Sequence, residues 1–129
     1  MKRCLDTCAY SRMMLGDKRL QACMEEADLL VIPVVVLGEL YAGFEGGNRK
    51  AENEARLEAF LEIPSVRIQD INWDVARRYG LLLDQLRKAG TPIPANDIWI
   101  AATALELGAR LITYDGHFKS IPGLITEAP

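Results

Sequence analysis

Apolar residues in this chain fall into short blocks that alternate between two spacings. Lys2–Leu5 and Leu29–Ile32 are compact runs of strand length, and the second is wholly apolar, as expected for a strand covered on both faces of a parallel sheet. Val66–Ile68 and Arg110–Thr113 give two more strands, and a last one is expected near Leu124. Between these blocks apolar positions recur every three or four residues, the period of helices with one buried stripe. A first helix begins near Ala9, with Thr7 able to cap it, and breaks at Gly16 and Asp17; a second runs from about Lys18 to Ala27. Pro33 suits the first turn of a helix carrying Val36, Leu37, Leu40 and Tyr41, which stops at Gly46 and Gly47. A charged helix from about Arg49 to Glu62 is stopped by Pro64. Asn72 or Asp74 can cap a long amphipathic helix that closes at Gly90. Thr91–Ala95 holds two prolines and reads as loop, after which Asn96 is the expected N-cap of an apolar helix to Leu107, ended by Gly108.

Strands alternating with helices predict a three-layer α/β domain with right-handed crossovers: a central parallel sheet of four to five strands flanked by helices. The length of 129 residues fits one domain, residues 1–129, without repeats or linkers. This topology constrains four carboxylates. Asp6 and Asp115 follow the carboxyl ends of strands, and Glu39 lies in the second turn of a helix leaving another such end. The helix opening at Asp97 runs antiparallel to the strand it feeds, so it starts at the same edge. In open α/β sheets that edge is where ligands bind.

Each acid has a plainer explanation. Asp97 could serve only the helix macrodipole, and Asp6 and Asp115 could serve turn geometry. Glu39 could be a buried acid satisfied by an amide or an arginine. Against these, Asp97 shares its helical face with Ile100, Ala101 and Ala104, and Glu39 sits among Val35, Val36, Ala42 and Gly43. Crowded, half-buried like charges need a cation or a proton to neutralise them. The joint placement therefore predicts a divalent-metal site.

Composition narrows the ion. Three cysteines form no CxxC pair, and the single histidine, His117, reads as a turn residue rather than a base, so sulfur- or imidazole-rich zinc sites are not expected. Oxygen donors alone favour hard ions, Mg²⁺ or Mn²⁺. The net charge of −3 speaks against binding nucleic acid mainly through a basic surface, although Arg12, Lys18, Arg19, Arg49 and Lys50 could form a local patch. No apolar run is long enough for a bilayer span and no signal region opens the chain, so a cytoplasmic location is expected.

Four blocks then resemble a known family: Leu5-Asp6-Thr7, Gly38-Glu39-Leu40, Asn96 to Ala104, and Thr113-Tyr114-Asp115-Gly116-His117-Phe118. In order and spacing they resemble the PIN-domain nucleases, specifically the VapC-type toxins of toxin–antitoxin pairs. The resemblance implies a Mg²⁺- or Mn²⁺-dependent endoribonuclease acting on RNA. It implies Asp6, Glu39, Asp97 and Asp115 as the acidic quartet, with Thr113 as a supporting hydroxyl; within the quartet Asp6 and Asp97 are assigned as principal metal ligands, Asp115 as completing the site or holding a second ion, and Glu39 as a ligand or as the group that orients or deprotonates the attacking water. It further implies a homodimer and an antitoxin partner whose segment lies in a groove beside the site. Cys8 departs from the pattern, where asparagine is commoner. Met13, Met14 and Leu15 on a short helix near Asp6 are candidate partner-binding residues. Two rival readings share the same residues: a catalytically silent module whose acidic pocket accepts a basic side chain, and a DNA-directed nuclease or phosphatase.

Overall fold

The structure, a computed structural model, describes residues 1–129. Its elements are β1 (Lys2–Leu5), α1 (Thr7–Met14), α2 (Lys18–Glu25), β2 (Leu29–Pro33), α3 (Val34–Glu45), α4 (Lys50–Leu61), β3 (Val66–Gln69), α5 (Trp73–Ala89), α6 (Ala95–Leu107), β4 (Arg110–Ile112), a 3-10 turn (Gly116–Ser120) and β5 (Thr126–Glu127). The strands form one sheet of order β3-β2-β1-β4-β5 with every pairing parallel. From β1 the chain first fills one side of the sheet with β2 and β3, then crosses to the other with β4 and β5. The order therefore reverses between β1 and β4, and the crevice at their carboxyl ends is the switch point.

The centre of the sheet is apolar because its strands are covered on both faces. Cys4, Leu5, Leu111 and Ile112 are wholly buried, with Cys4 opposite Leu111 and Leu5 opposite Ile112. The Asp6 amide still bonds to the Ile112 carbonyl at 3.4 Å, which carries the β1–β4 alignment up to the crevice. Helix α6 presents Ile98, Ile100, Ala101, Ala102 and Ala104 to the core, and its partner α5 is held against it by Tyr79 stacked on Trp99 with centroids 3.8 Å apart. Gly108 ends α6 at φ 62°, a left-handed turn that glycine adopts without a Cβ penalty.

Three local expectations need correction. Asp6, not Thr7, caps α1, with its Oδ1 accepting the Ala9 amide at 2.8 Å. Helix α6 starts at Ala95 with Pro94 at the cap position and no side-chain cap, so Asn96 is inside the first turn. Pro94, at φ −57° and without an N–H to satisfy, opens that turn early. The last strand is Thr126–Glu127 rather than a segment at Leu124, because the turn at Pro122–Gly123 (φ 77° at Gly123) delays pairing until the Leu111 amide meets the Ile125 carbonyl. A buried cation fixes this edge. The Arg3 guanidinium, 4% exposed, donates to both Glu127 oxygens at 3.3 and 3.1 Å and to the Cys23 carbonyl at 2.7 Å.

Candidate metal centre

Four separate segments supply the acids of the crevice. Asp6 ends β1, Glu39 lies on α3 just beyond β2, Asp97 sits in the first turn of α6, and Asp115 follows β4 through the buried Thr113. Asp6 is 4% exposed, whereas the Asp97 and Asp115 side chains are 18% and 38% exposed. Burial therefore increases from Asp115 through Asp97 to Asp6.

Hydrogen bonds set most of these carboxylates in place. Asp6 accepts from the Ala9 amide at 2.8 Å, and Thr113 Oγ1, whose hydroxyl favours the charged form of Asp6, accepts the Asp115 amide at 3.0 Å. Thr113 thus acts on two acids. Thr7, relieved of capping by Asp6, donates its hydroxyl to Glu39 Oε1 at 2.7 Å. Asp115 Oδ1 accepts the His117 amide at 2.9 Å and opens the 3-10 turn.

The electrostatics record the crowding. Burial raises the Asp6 carboxyl above its ordinary range; the Thr113 hydroxyl and Ala9 amide oppose the shift, while Asp97 and Asp115 add to it. Burial also raises Asp97, with His117 opposing and Asp115 and Glu39 reinforcing. Cys8, exposed at the rim, has its thiol raised by burial first and then by Asp6, Asp115, Glu39 and Asp97 together. One thiol feels all four acids, and the elements that carry them all present those residues at the carboxyl-end edge of the sheet. No lysine or arginine forms an ion pair with any of them.

Proximity is not uniform within the quartet. The tightest group of potential donors is Asp97, Asp115 and His117, with ligand atoms all within 4.8 Å of one another, and Asp6 and Glu39 are not members of it. His117 is an exposed turn residue, as expected, and its ring also faces two of the acids. Its Nδ1 stands 3.4 Å from Asp97 Oδ2 and 3.3 Å from Asp115 Oδ1. Spacing alone hid this contact, because it depends on the 3-10 turn whose next residue, Phe118, is anchored in the core at 1% exposure. Thr7 was also legible only as a cap. The donor set suits a divalent cation: several carboxylates, two of them raised by burial and by one another, with no internal Lys or Arg counter-charge.

A second feature lies beside α1. A groove of about 510 Å³ is lined mainly by apolar residues, among them Met13, Met14, Met24, Phe60, Ile63 and Val66. Leu15, at the end of α1, is 88% exposed.

Known proteins share this architecture. The PIN domain family matches residues 3–124. Ribonuclease VapC2 of Rickettsia felis is 34% identical over 99 residues, which is 76% of this chain and 72% of that protein. Ribonuclease VapC4 of Mycobacterium tuberculosis is 32% identical over 91 residues, 70% of each. Among solved structures, VapBC2 from Rickettsia felis bound to a DNA fragment from their promoter aligns with a TM-score of 0.84 and 31% identity over 98% of both chains. VapBC-1 from nontypeable Haemophilus influenzae aligns with a TM-score of 0.82 and 28% identity, over 98% of this chain and 97% of that one. Family match, sequence identity and fold coincide over nearly the full length, and the chain belongs to the PIN-domain family, on its VapC ribonuclease branch.

Proposed function

We propose that this chain is the toxin of a toxin–antitoxin pair, an endoribonuclease that hydrolyses RNA phosphodiester bonds with the help of Mg²⁺ or Mn²⁺. The observation that carries the reading is the gathering of four acids from four segments at the sheet's switch point with no lysine or arginine paired to any of them. Asp6, Asp97 and Asp115 would hold the cation. When bound there, a hard divalent ion lowers the pKa of coordinated water and offsets charge on the phosphate oxygens.

The side chains have distinct tasks. Asp6, Asp97 and Asp115 present negative charge that would otherwise repel an RNA phosphate, and so each needs the ion in place before substrate approaches. Glu39, half-buried and held by Thr7, is placed to accept a proton from the attacking water. Water adds to phosphorus as it gives its proton to Glu39, the bond to the 3′ oxygen breaks, and that oxygen takes a proton from solvent, so the products carry a 5′ phosphate and a 3′ hydroxyl. Thr113 holds the Asp115 backbone through its bond to the Asp115 amide and favours the charged form of Asp6.

Thr7→Val keeps the shape of the side chain and removes its bond to Glu39. Single-turnover cleavage should slow by about tenfold, the usual scale for a group that orients a catalytic residue. An unchanged rate would show that Glu39 needs no such support.

The groove beside α1 is the surface for the antitoxin. Its methionines adapt to an apolar helix laid against them, and exposed Leu15 lines an adjoining hollow that shares Met14 and Arg56 with the groove. Sequencing the RNA ends produced when the purified chain and MgCl₂ act on total cellular RNA tests the whole reading. Defined 5′-phosphate ends should appear, vanish with EDTA, return with excess Mg²⁺, and be suppressed by the cognate antitoxin. Equal cleavage of single-stranded DNA would favour a nuclease that does not read the 2′-hydroxyl, and no cleavage of either would favour the silent module.

A further inference from the structure

The geometry points to His117 as a nitrogen donor to the bound cation in addition to the carboxylates, one that shifts the site's preference from Mg²⁺ toward Mn²⁺ and other first-row transition ions. The inference rests on the reading of the acidic crevice as a divalent-cation site and goes beyond it by adding a nitrogen to an oxygen donor set.

The distances support a ligand. Donors on adjacent vertices of an octahedral ion, each about 2.1 Å from it, lie about 3 Å apart, and donors on opposite vertices about 4.2 Å. His117 Nδ1 is 3.4 Å from Asp97 Oδ2 and 3.3 Å from Asp115 Oδ1, and all three donor atoms fall within 4.8 Å. Shifts of a few tenths of an ångström would bring them onto one ion. The backbone behind the imidazole is also held. The His117 amide is bound to Asp115 Oδ1 and buried Phe118 anchors the turn, which holds the His117 backbone at the crevice, while the ring itself is 55% exposed.

An imidazole changes ion preference for a simple reason. Nitrogen is a softer donor than carboxylate oxygen; Mg²⁺ gains little from it, whereas transition ions gain progressively along the series from Mn²⁺ upward. Three carboxylates alone would bind both ions as hard cations.

The plainer account makes His117 only an ion-pair partner of Asp97 and Asp115. The two accounts differ in sign. Removing a competitor for the carboxylates raises affinity for every divalent ion, while removing a ligand lowers it, most of all for ions that favour nitrogen.

Calorimetric titration of the full chain with MnCl₂ and with MgCl₂, without RNA, separates them when repeated on His117→Ala. The exposed ring makes this variant safe for the fold. Its Mn²⁺ affinity should fall roughly tenfold or more with a much smaller change for Mg²⁺, in line with the scale of losses around metal sites. Electron spin-echo spectra of bound Mn²⁺ should also show an imidazole ¹⁴N coupling that the variant lacks. An unchanged Mn²⁺ to Mg²⁺ affinity ratio, a gain for both ions, or no nitrogen coupling would overturn the role of His117 and leave the acidic site standing. Failure of the parent chain to bind either ion would overturn both.

Discussion

Asp6→Asn should abolish RNA cleavage and at the same time make the cation-free protein harder to melt. The loss follows from position: Asp6 is the deepest acid of the crevice and is coupled to both Asp97 and Asp115. A neutral amide there removes one charge from the cation's binding set. Cleavage should fall by roughly a thousandfold or more, the scale lost when a group that stabilises developing charge is removed. The gain in stability has a separate cause. Burial and two neighbouring carboxylates disfavour the charged form of Asp6 in the folded chain, and asparagine carries no charge to bury. Nor is the cap of α1 lost, because asparagine caps helices as well as aspartate and its carbonyl can still accept the Ala9 amide. Product formation under single-turnover conditions and a thermal melt in EDTA measure the two effects. Cleavage within tenfold of the parent would remove Asp6 from the catalytic set. A lower melting temperature would mean that the carboxylate serves the fold more than the site.

The second large effect couples pH, cation and stability. Asp6 and Asp97 both titrate higher in the folded chain than the ordinary carboxylate range, each first through burial. Folding therefore favours their protonated forms. Stabilisation from that source is complete below about pH 4, where an unfolded carboxyl is protonated, and is lost as pH rises through the raised folded values. At neutral pH the cation-free protein carries the full repulsion of its crevice. A divalent ion at about a hundred times its dissociation constant should add about 2.7 kcal/mol there, or roughly 8 °C in Tm for a chain of this size. The same ion should do little in acid, where the carboxylates are protonated. Glu127, held low by Arg3 and Cys23 against the effect of burial, shifts with pH in the opposite sense. Comparing the parent with an Asp6→Asn, Asp97→Asn double variant isolates the crevice. Scanning calorimetry from pH 4 to 8, with and without MgCl₂ or MnCl₂, decides the matter; a Tm that no divalent ion moves at neutral pH would contradict the site.

What could be read in advance follows from which forces are local. The wholly apolar run at Leu29–Ile32, the glycines closing α5 and α6, and the stripe of Ile100, Ala101 and Ala104 each announce an element by its own residues, and each is present as read. Parallel topology then follows from alternation, and convergence of the acids from topology. Other features depend on contacts made far along the chain. The two-residue strand β5 has no apolar run of its own and is defined by pairing with β4 and by the buried Arg3 reaching Glu127. Thr7 and Asp6 are both competent caps, and only the place of Glu39 across the crevice decides which one is free to bind it. His117 reaches Asp97 through a turn whose shape is set by the burial of Phe118. A residue type at a spacing does not carry that information.

The order of these parts along the polypeptide bears on how a cell survives making such a protein. Every residue lining the groove beside α1 lies at or before Val66, whereas Asp97 and Asp115 come later. Synthesis proceeds from the amino terminus, and early segments leave the ribosome first. The groove proposed for the antitoxin is thus translated ahead of two of the four acids proposed for the catalytic centre. Restraint can be in reach before there is anything to restrain.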